Sequence, residues 1–99
     1  MAAQFDVYRL SDKTLVVILQ SDIVNAFKSR LVAPLVPAQK AGRVLRGLNP
    51  MIEVSQQNYV LMPQLAGAIA VSELVTHIGS LAYKRDEIIR ALDLLFTGF

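Results

Sequence analysis

Thr14-Leu15-Val16-Val17-Ile18-Leu19 carries no charge, and most of its side chains are β-branched. Successive side chains of a strand point to opposite faces. A run that is apolar at every position therefore reads as a strand covered on both sides, in the middle of a sheet. The rest of the chain is best read outward from it.

Upstream, Gln4-Phe5-Asp6-Val7-Tyr8-Arg9-Leu10 alternates polar and apolar residues with the period of a half-buried strand, and Ser11-Asp12-Lys13 is a short polar turn. The two segments make a hairpin. Downstream, residues 20–30 are a polar, irregular connection. Leu31-Val32-Ala33-Pro34-Leu35-Val36-Pro37 then regains strand character, but its prolines cannot donate to a ladder, so this strand is expected at an edge or ending at Pro34. Ala38 to Gly47 spaces Lys40, Arg43 and Arg46 three apart around Val44 and Leu45, which fits one or two helical turns or a basic loop. Met51-Ile52-Glu53-Val54 and Tyr59-Val60-Leu61-Met62 flank a four-residue polar connection and read as a second hairpin. Ile69-Ala70-Val71-Ser72 is a further strand after a bend at Gly67.

From about Leu81 the period changes. Leu81, Ile88, Leu92, Leu95 and Phe99 share one helical face, with Ile89 and Phe96 beside it, and Gly98 stands where a helix C-terminal glycine would. Asp86 and Arg90 form an i, i+4 pair in the favourable order. Strands followed by one terminal helix argue an α+β, mainly β fold, with an antiparallel sheet or small barrel under the helix.

Hydrophobic residues make up 54% of the 99 positions and charged ones 18%, more apolar surface than a domain of this size hides easily, so self-association is expected. Residues 1–99 are expected to form a single domain. The apolar runs are far shorter than a membrane helix requires, and none follows a signal-like basic region, so no membrane role is expected. With no cysteine there is no disulfide framework, which fits the cytoplasm. A net charge of +2 without dense Lys/Arg clustering gives no support for direct nucleic-acid binding.

The search for chemistry is negative. His77 is the sole histidine, and no serine lies in a nucleophile-elbow context. Without cysteine, one histidine cannot supply an ordinary zinc site, and the glycines build no phosphate loop. No catalytic residue, metal or cofactor is expected. His77 reads as a partly exposed residue on the approach to the helix, the Lys40, Arg43, Arg46 triplet as a solvated face, and Tyr8, Tyr59 and Tyr83 as packing residues. The segment Leu95-Phe96-Thr97-Gly98-Phe99 is different, because two large aromatics around a glycine read either as a docked helix end that is core or as a hook kept for a partner.

Several stretches, in order, resemble the CcdB family of toxins from plasmid and chromosomal toxin–antitoxin modules: Gln4-Phe5-Asp6-Val7-Tyr8, Leu19-Gln20-Ser21-Asp22-Ile23-Val24, Leu31 to Leu35, Ile69 to Ser72, and Asp86 to Phe99 with its aromatic-x-Gly-hydrophobic ending. The resemblance implies a dimer of SH3-like, five-stranded antiparallel barrels with a small additional sheet and a C-terminal helix. It implies a topoisomerase poison active in plasmid maintenance, which binds the A subunit of DNA gyrase and traps the cleaved complex without catalysing anything. A CcdA-type antitoxin is implied as partner, and nucleic acid only indirectly, through gyrase or the antitoxin.

The positions matching the family's gyrase-contacting set are Ile23, Val24, Asp93, Phe96, Thr97, Gly98 and Phe99. Thr97 stands where the best-known member has tryptophan, Phe99 where the family has isoleucine, and Asp93 where it has asparagine. The alternatives are an mRNA interferase on the same barrel, whose N-terminal basic-Gly-Asp motif is missing from Phe5-Asp6-Val7-Tyr8, and a CcdB-like relative with a different or lost target.

Overall fold

The computed structural model describes residues 2–98. Strand β1 (Asp6–Leu10) pairs with β2 (Leu15–Ile18) in the expected hairpin. Its turn is closed by Lys13 in the left-handed region (φ 74°) and by Asp12, whose Oδ1 accepts the Thr14 N–H at 2.9 Å. The Thr14 hydrogen bonds hold the Asp12 carboxyl below its ordinary pKa. β3 (Ser29–Pro37) follows a loop, and the hairpin of β4 (Met51–Val54) and β5 (Gln57–Leu61) turns tightly through Ser55 and Gln56. Both have positive φ, at 51° and 66°, so the connection is a two-residue turn and not the four-residue loop expected.

The later strands differ from expectation in place and number. β6 (Gly67–Ala70) begins earlier than Ile69, and Val71–Glu73 forms a 3-10 turn where strand was expected. β7 (Leu74–Ser80) was not anticipated at all, because its half-exposed residues show no clean alternation. It pairs antiparallel with β1 through two register shifts, and His77, expected near the helix, lies on it opposite Tyr8. The strands form one antiparallel sheet in the order β4-β5-β3-β2-β1-β7, with β6 joined to β3, curled into a half-barrel. The α+β, mainly β expectation holds.

β3 corrects the reading of the prolines. It is neither an edge strand nor ended by Pro34; it is the hub, pairing β2 on one side and both β5 and β6 on the other. The Pro34 carbonyl accepts the Met62 N–H at 3.0 Å, while the Met62 carbonyl is taken by the Leu65 N–H at 3.0 Å. The donor that proline lacks is therefore not required. The proline sits where the shared side of β3 passes from β5 to β6.

Alternate residues of β2 fill two cores. Leu15, Val17 and Leu19 join Phe5, Val7, Ala33, Leu35, Ile52, Leu61, Leu81 and Ile88 under the helix, while Val16 and Ile18 join Ala2 and Val32 on the opposite face. The uninterrupted apolar run is thus explained by burial on both faces. Phe5 enters β1 with φ 70°, its N–H donating to Ile18 O at 2.7 Å and its carbonyl accepting from Leu81 at 2.8 Å. Bonds on both sides hold a conformation that costs about 1–2 kcal/mol for a non-glycine residue.

Helix α1 (Arg85–Thr97) starts after a 3-10 turn at Ala82–Lys84 and ends at Gly98, whose φ of 81° and N–H to Leu94 O at 3.0 Å make the expected left-handed cap. Its buried residues are Ile88 and Ala91, with Ile89 and Leu92 partly buried. Leu81 is core but precedes the helix, and Leu95 is exposed. The stripe is therefore narrower than the apolar sequence suggests. The helix ion pair is Lys84 to Glu87 at 3.2 Å, in place of the expected Asp86 to Arg90 pair.

Ile88 is fully buried and is the main anchor of the helix on the sheet. Replacing Ile88 with alanine is expected to lower the unfolding free energy by about 2–5 kcal/mol, read from urea denaturation. Asp12 makes a pH-dependent contribution. A carboxyl whose folded-state pKa is depressed adds stability above the unfolded value, about 3.9, and loses it as pH falls through the folded-state value. The Asp12→Ala variant should therefore melt below wild type at pH 7, and the gap should close as pH drops below the ordinary aspartate range.

Candidate functional site

Two exposed apolar features stand out on this frame. The first is the end of α1. Phe96 is 68% exposed, and Asp93, Thr97 and Gly98 are exposed with it, so this turn is not packed into the core. It is nonetheless ordered, since the Thr97 hydroxyl donates to the Asp93 carbonyl at 2.7 Å and Gly98 caps the helix. Thr97 thus turns its polar atom back into its own helix. Phe99, the last residue of the hook, lies outside the described residues.

The second feature is the loop between β2 and β3. Ile23 is 94% exposed and Val24 44%, both in a 3-10 turn (Asp22–Val24), with Phe27 just beyond. The Gln-Ser-Asp triplet before them builds the loop. Ser21 Oγ accepts the Ile23 N–H at 3.2 Å, Asp22 Oδ1 accepts the Gln4 N–H at 2.8 Å, and the Gln20 side chain donates to Val24 O while accepting from Leu31 N at 3.1 Å. Polar residues fix the backbone so that the apolar ones can face water.

The far side of the loop is held by Arg30, which sequence reasoning assigned only to a polar connection. Arg30 is buried in β3, and its guanidinium donates to the carbonyls of Asn25, Phe27 and Ser29. A buried arginine is tolerable when its N–H groups find acceptors, and here the loop supplies them. Nothing in the sequence marks this role except an arginine at the start of an apolar strand.

The loop and the helix end are carried by different elements of one chain. The helix contacts the turns at Pro63–Leu65 and Ala82–Lys84 and sets Ile88 into the core of the sheet. The basic triplet is divided as well, with Lys40 closing a 3-10 turn at Ala38–Lys40 and Arg43 and Arg46 exposed in the loop that follows.

A third cluster was missed for want of a visible partner. Asp6, buried in β1, places Oδ2 3.4 Å from His77 Nε2 and also accepts the Ala3 N–H at 3.0 Å, while the Tyr8 ring meets the imidazole edge-on at 5.2 Å between centroids. Burial pushes the Tyr8 hydroxyl above its ordinary pKa, and the Asp6 carboxylate acts in the same direction. The cross-strand pairing of β1 with β7 creates this contact, which could not be found before β7 was known.

Two concavities on the surface are small. One of about 180 Å³ lies between the β4–β5 turn and the end of β7, lined by Val54, Ile78, Leu81 and Tyr83 with Glu53, and one of about 300 Å³ lies beside Leu15, Pro34, Pro37 and Tyr59. Both fall at or below the lower end of the range usual for small-molecule sites, about 300–1,000 Å³. Among the described residues, no group of three or more His, Cys, Asp or Glu side chains could hold a metal ion. No helix of the described residues is long and apolar enough to cross a membrane. The geometry favours presentation of apolar side chains to another macromolecule.

Two comparisons with known proteins place the chain by fold and by family. Among solved structures, the chain is similar to an endoribonuclease from mycobacterial species, with a TM-score of 0.75 and 17% identity over 92% of this chain and 86% of that one. At that identity the likeness concerns the fold. The family model described as CcdB protein matches residues 4–98, which takes in the β2–β3 loop and α1 together. The chain therefore belongs to the CcdB family of toxins.

Proposed function

We propose that this chain, as a single domain acting in the cytoplasm, is the toxin of a type II toxin–antitoxin module. In this reading a homodimer binds the A subunit of DNA gyrase and traps the gyrase–DNA cleavage complex. The contact residues are Ile23, Val24, Asp93, Phe96, Thr97, Gly98 and Phe99. The observation that carries the reading is the exposed Phe96 on an ordered helix end, an aromatic side chain that serves no core. The toxin acts by binding, and a CcdA-type antitoxin competes for or masks the same surface.

Thr97 is the point of departure from the family. An indole at a contact commonly contributes about 2 kcal/mol or more, and threonine cannot replace its area. With the Thr97 hydroxyl bonded to Asp93 O, the aromatic surface of the hook falls to Phe96 and Phe99. A matched gyrase would meet these rings instead of an indole.

The competing function, RNA cleavage, draws on the endoribonuclease fold neighbour and on the Asp6–His77 pair, the nearest thing here to an acid–base couple. It finds less support because His77 stands on an exposed strand, and the lining of neither described concavity includes it.

Incubation with gyrase and supercoiled DNA, using enzymes from several bacteria, is expected to give toxin-dependent linear DNA after denaturation. Folded protein that produces no cleavage with any gyrase, yet degrades RNA, would replace this function with the competing one. A chain lacking Thr97 to Phe99 should keep its circular dichroism spectrum and oligomeric state while losing gyrase binding; unfolding on truncation would mean that the hook is structural.

A further inference from the structure

We propose that Phe27 is a third anchor on the β2–β3 loop, an aromatic side chain that docks on the same target surface as Ile23 and Val24. This rests on the assignment of gyrase, through its A subunit, to the role of target.

Phe27 is 63% exposed and belongs to neither core cluster. It shares a loop with Ile23 and Val24, so three apolar side chains project from one short segment. A phenyl ring facing water adds nothing to folding, whereas large aromatics in the centre of an interface contribute heavily to binding. Its backbone, moreover, is not free. Arg30 Nη1 donates to the Phe27 carbonyl at 2.6 Å and to the Ser29 carbonyl at 2.9 Å, and Nη2 donates to Asn25 O at 3.1 Å. Arg30 is only 5% exposed, so a guanidinium withdrawn from water fixes the shape of the segment that carries Phe27. A mere connector would not require that. Holding the loop in one shape before contact reduces the entropy lost on binding.

The position also compensates for the hook. Thr97 leaves Phe96 as the exposed aromatic on the described part of the helix end, and Phe27 supplies a second ring from the other patch. Specificity for the target then resides in the pair of patches and not in the helix end alone.

The test is isothermal titration of the purified A subunit of gyrase with the full-length protein and its Phe27→Ala, Phe27→Trp and Ile23→Ala variants, alongside melting curves and light scattering. Phe27→Ala is expected to weaken binding roughly tenfold or more, and Phe27→Trp to stay within about threefold of wild type, with melting temperature and oligomeric state unchanged. If Phe27→Ala binds like wild type while Ile23→Ala is weakened, Phe27 is not an anchor although the target stands. If Phe27→Ala alters the oligomeric state, the ring belongs to a contact between copies and the proposal fails. If wild-type protein does not bind gyrase, target and anchor fall together. Should Phe27→Ala fail to fold, Phe27→Leu, which keeps the bulk and removes the ring, decides the matter by the same criterion.

Discussion

Pro34 has no amide hydrogen to give, and the sheet is arranged around that gap. A central strand normally satisfies both edges along its whole length. β3 does so in two instalments on one side, with β5 over Leu35–Pro37 and β6 over Ser29–Val32. The handover falls beside the proline, where Met62 donates to Pro34 O and turns its own carbonyl to Leu65. One strand thus serves two arms of the sheet, and the β4–β5 hairpin adds Ile52 and Leu61 to the helix-side core.

That arrangement divides the labour of the molecule. The core under the helix gathers the fully buried residues Val17, Ile52, Leu61 and Ile88, so stability is concentrated between the sheet and the helix. The β2–β3 loop and the last turn of α1 lie at the margins, where backbone groups are satisfied by side chains and caps. Gln20, Ser21, Asp22 and Arg30 do this for the loop, and Gly98 for the helix. Apolar side chains at both places are left in water. For the proposed binding role, such a separation of rigid support from exposed apolar side chains is mechanically sensible.

The same frame is shared with an endoribonuclease at low sequence identity. The barrel supplies positions, and the residues placed there decide between binding and catalysis. Here the margins carry isoleucine, valine and phenylalanine, while the Asp6–His77 contact joins two neighbouring strands.

Local patterning was enough for the hairpins, the terminal helix and its glycine cap, because each depends on residues close in the chain. TLVVIL announced its double burial for the same reason, since a strand buried on one face would have needed polar residues at every second place. Ile23 and Val24 were legible only as members of a family pattern, whereas the hook stood out by its own aromatics; the exposure of Ile23, Val24 and Phe96 became visible once the cores were closed. What sequence could not decide were the contacts between distant segments. The hub role of β3 contradicted the local meaning of its prolines, and β7 has too little burial to show a period. Arg30 and the Asp6–His77 pair take their partners from a loop backbone and a neighbouring strand. A side chain's periodicity records which face it occupies, but register, burial of a charge and the satisfaction of a missing donor depend on what the rest of the chain brings alongside, and that is fixed only when the sheet closes.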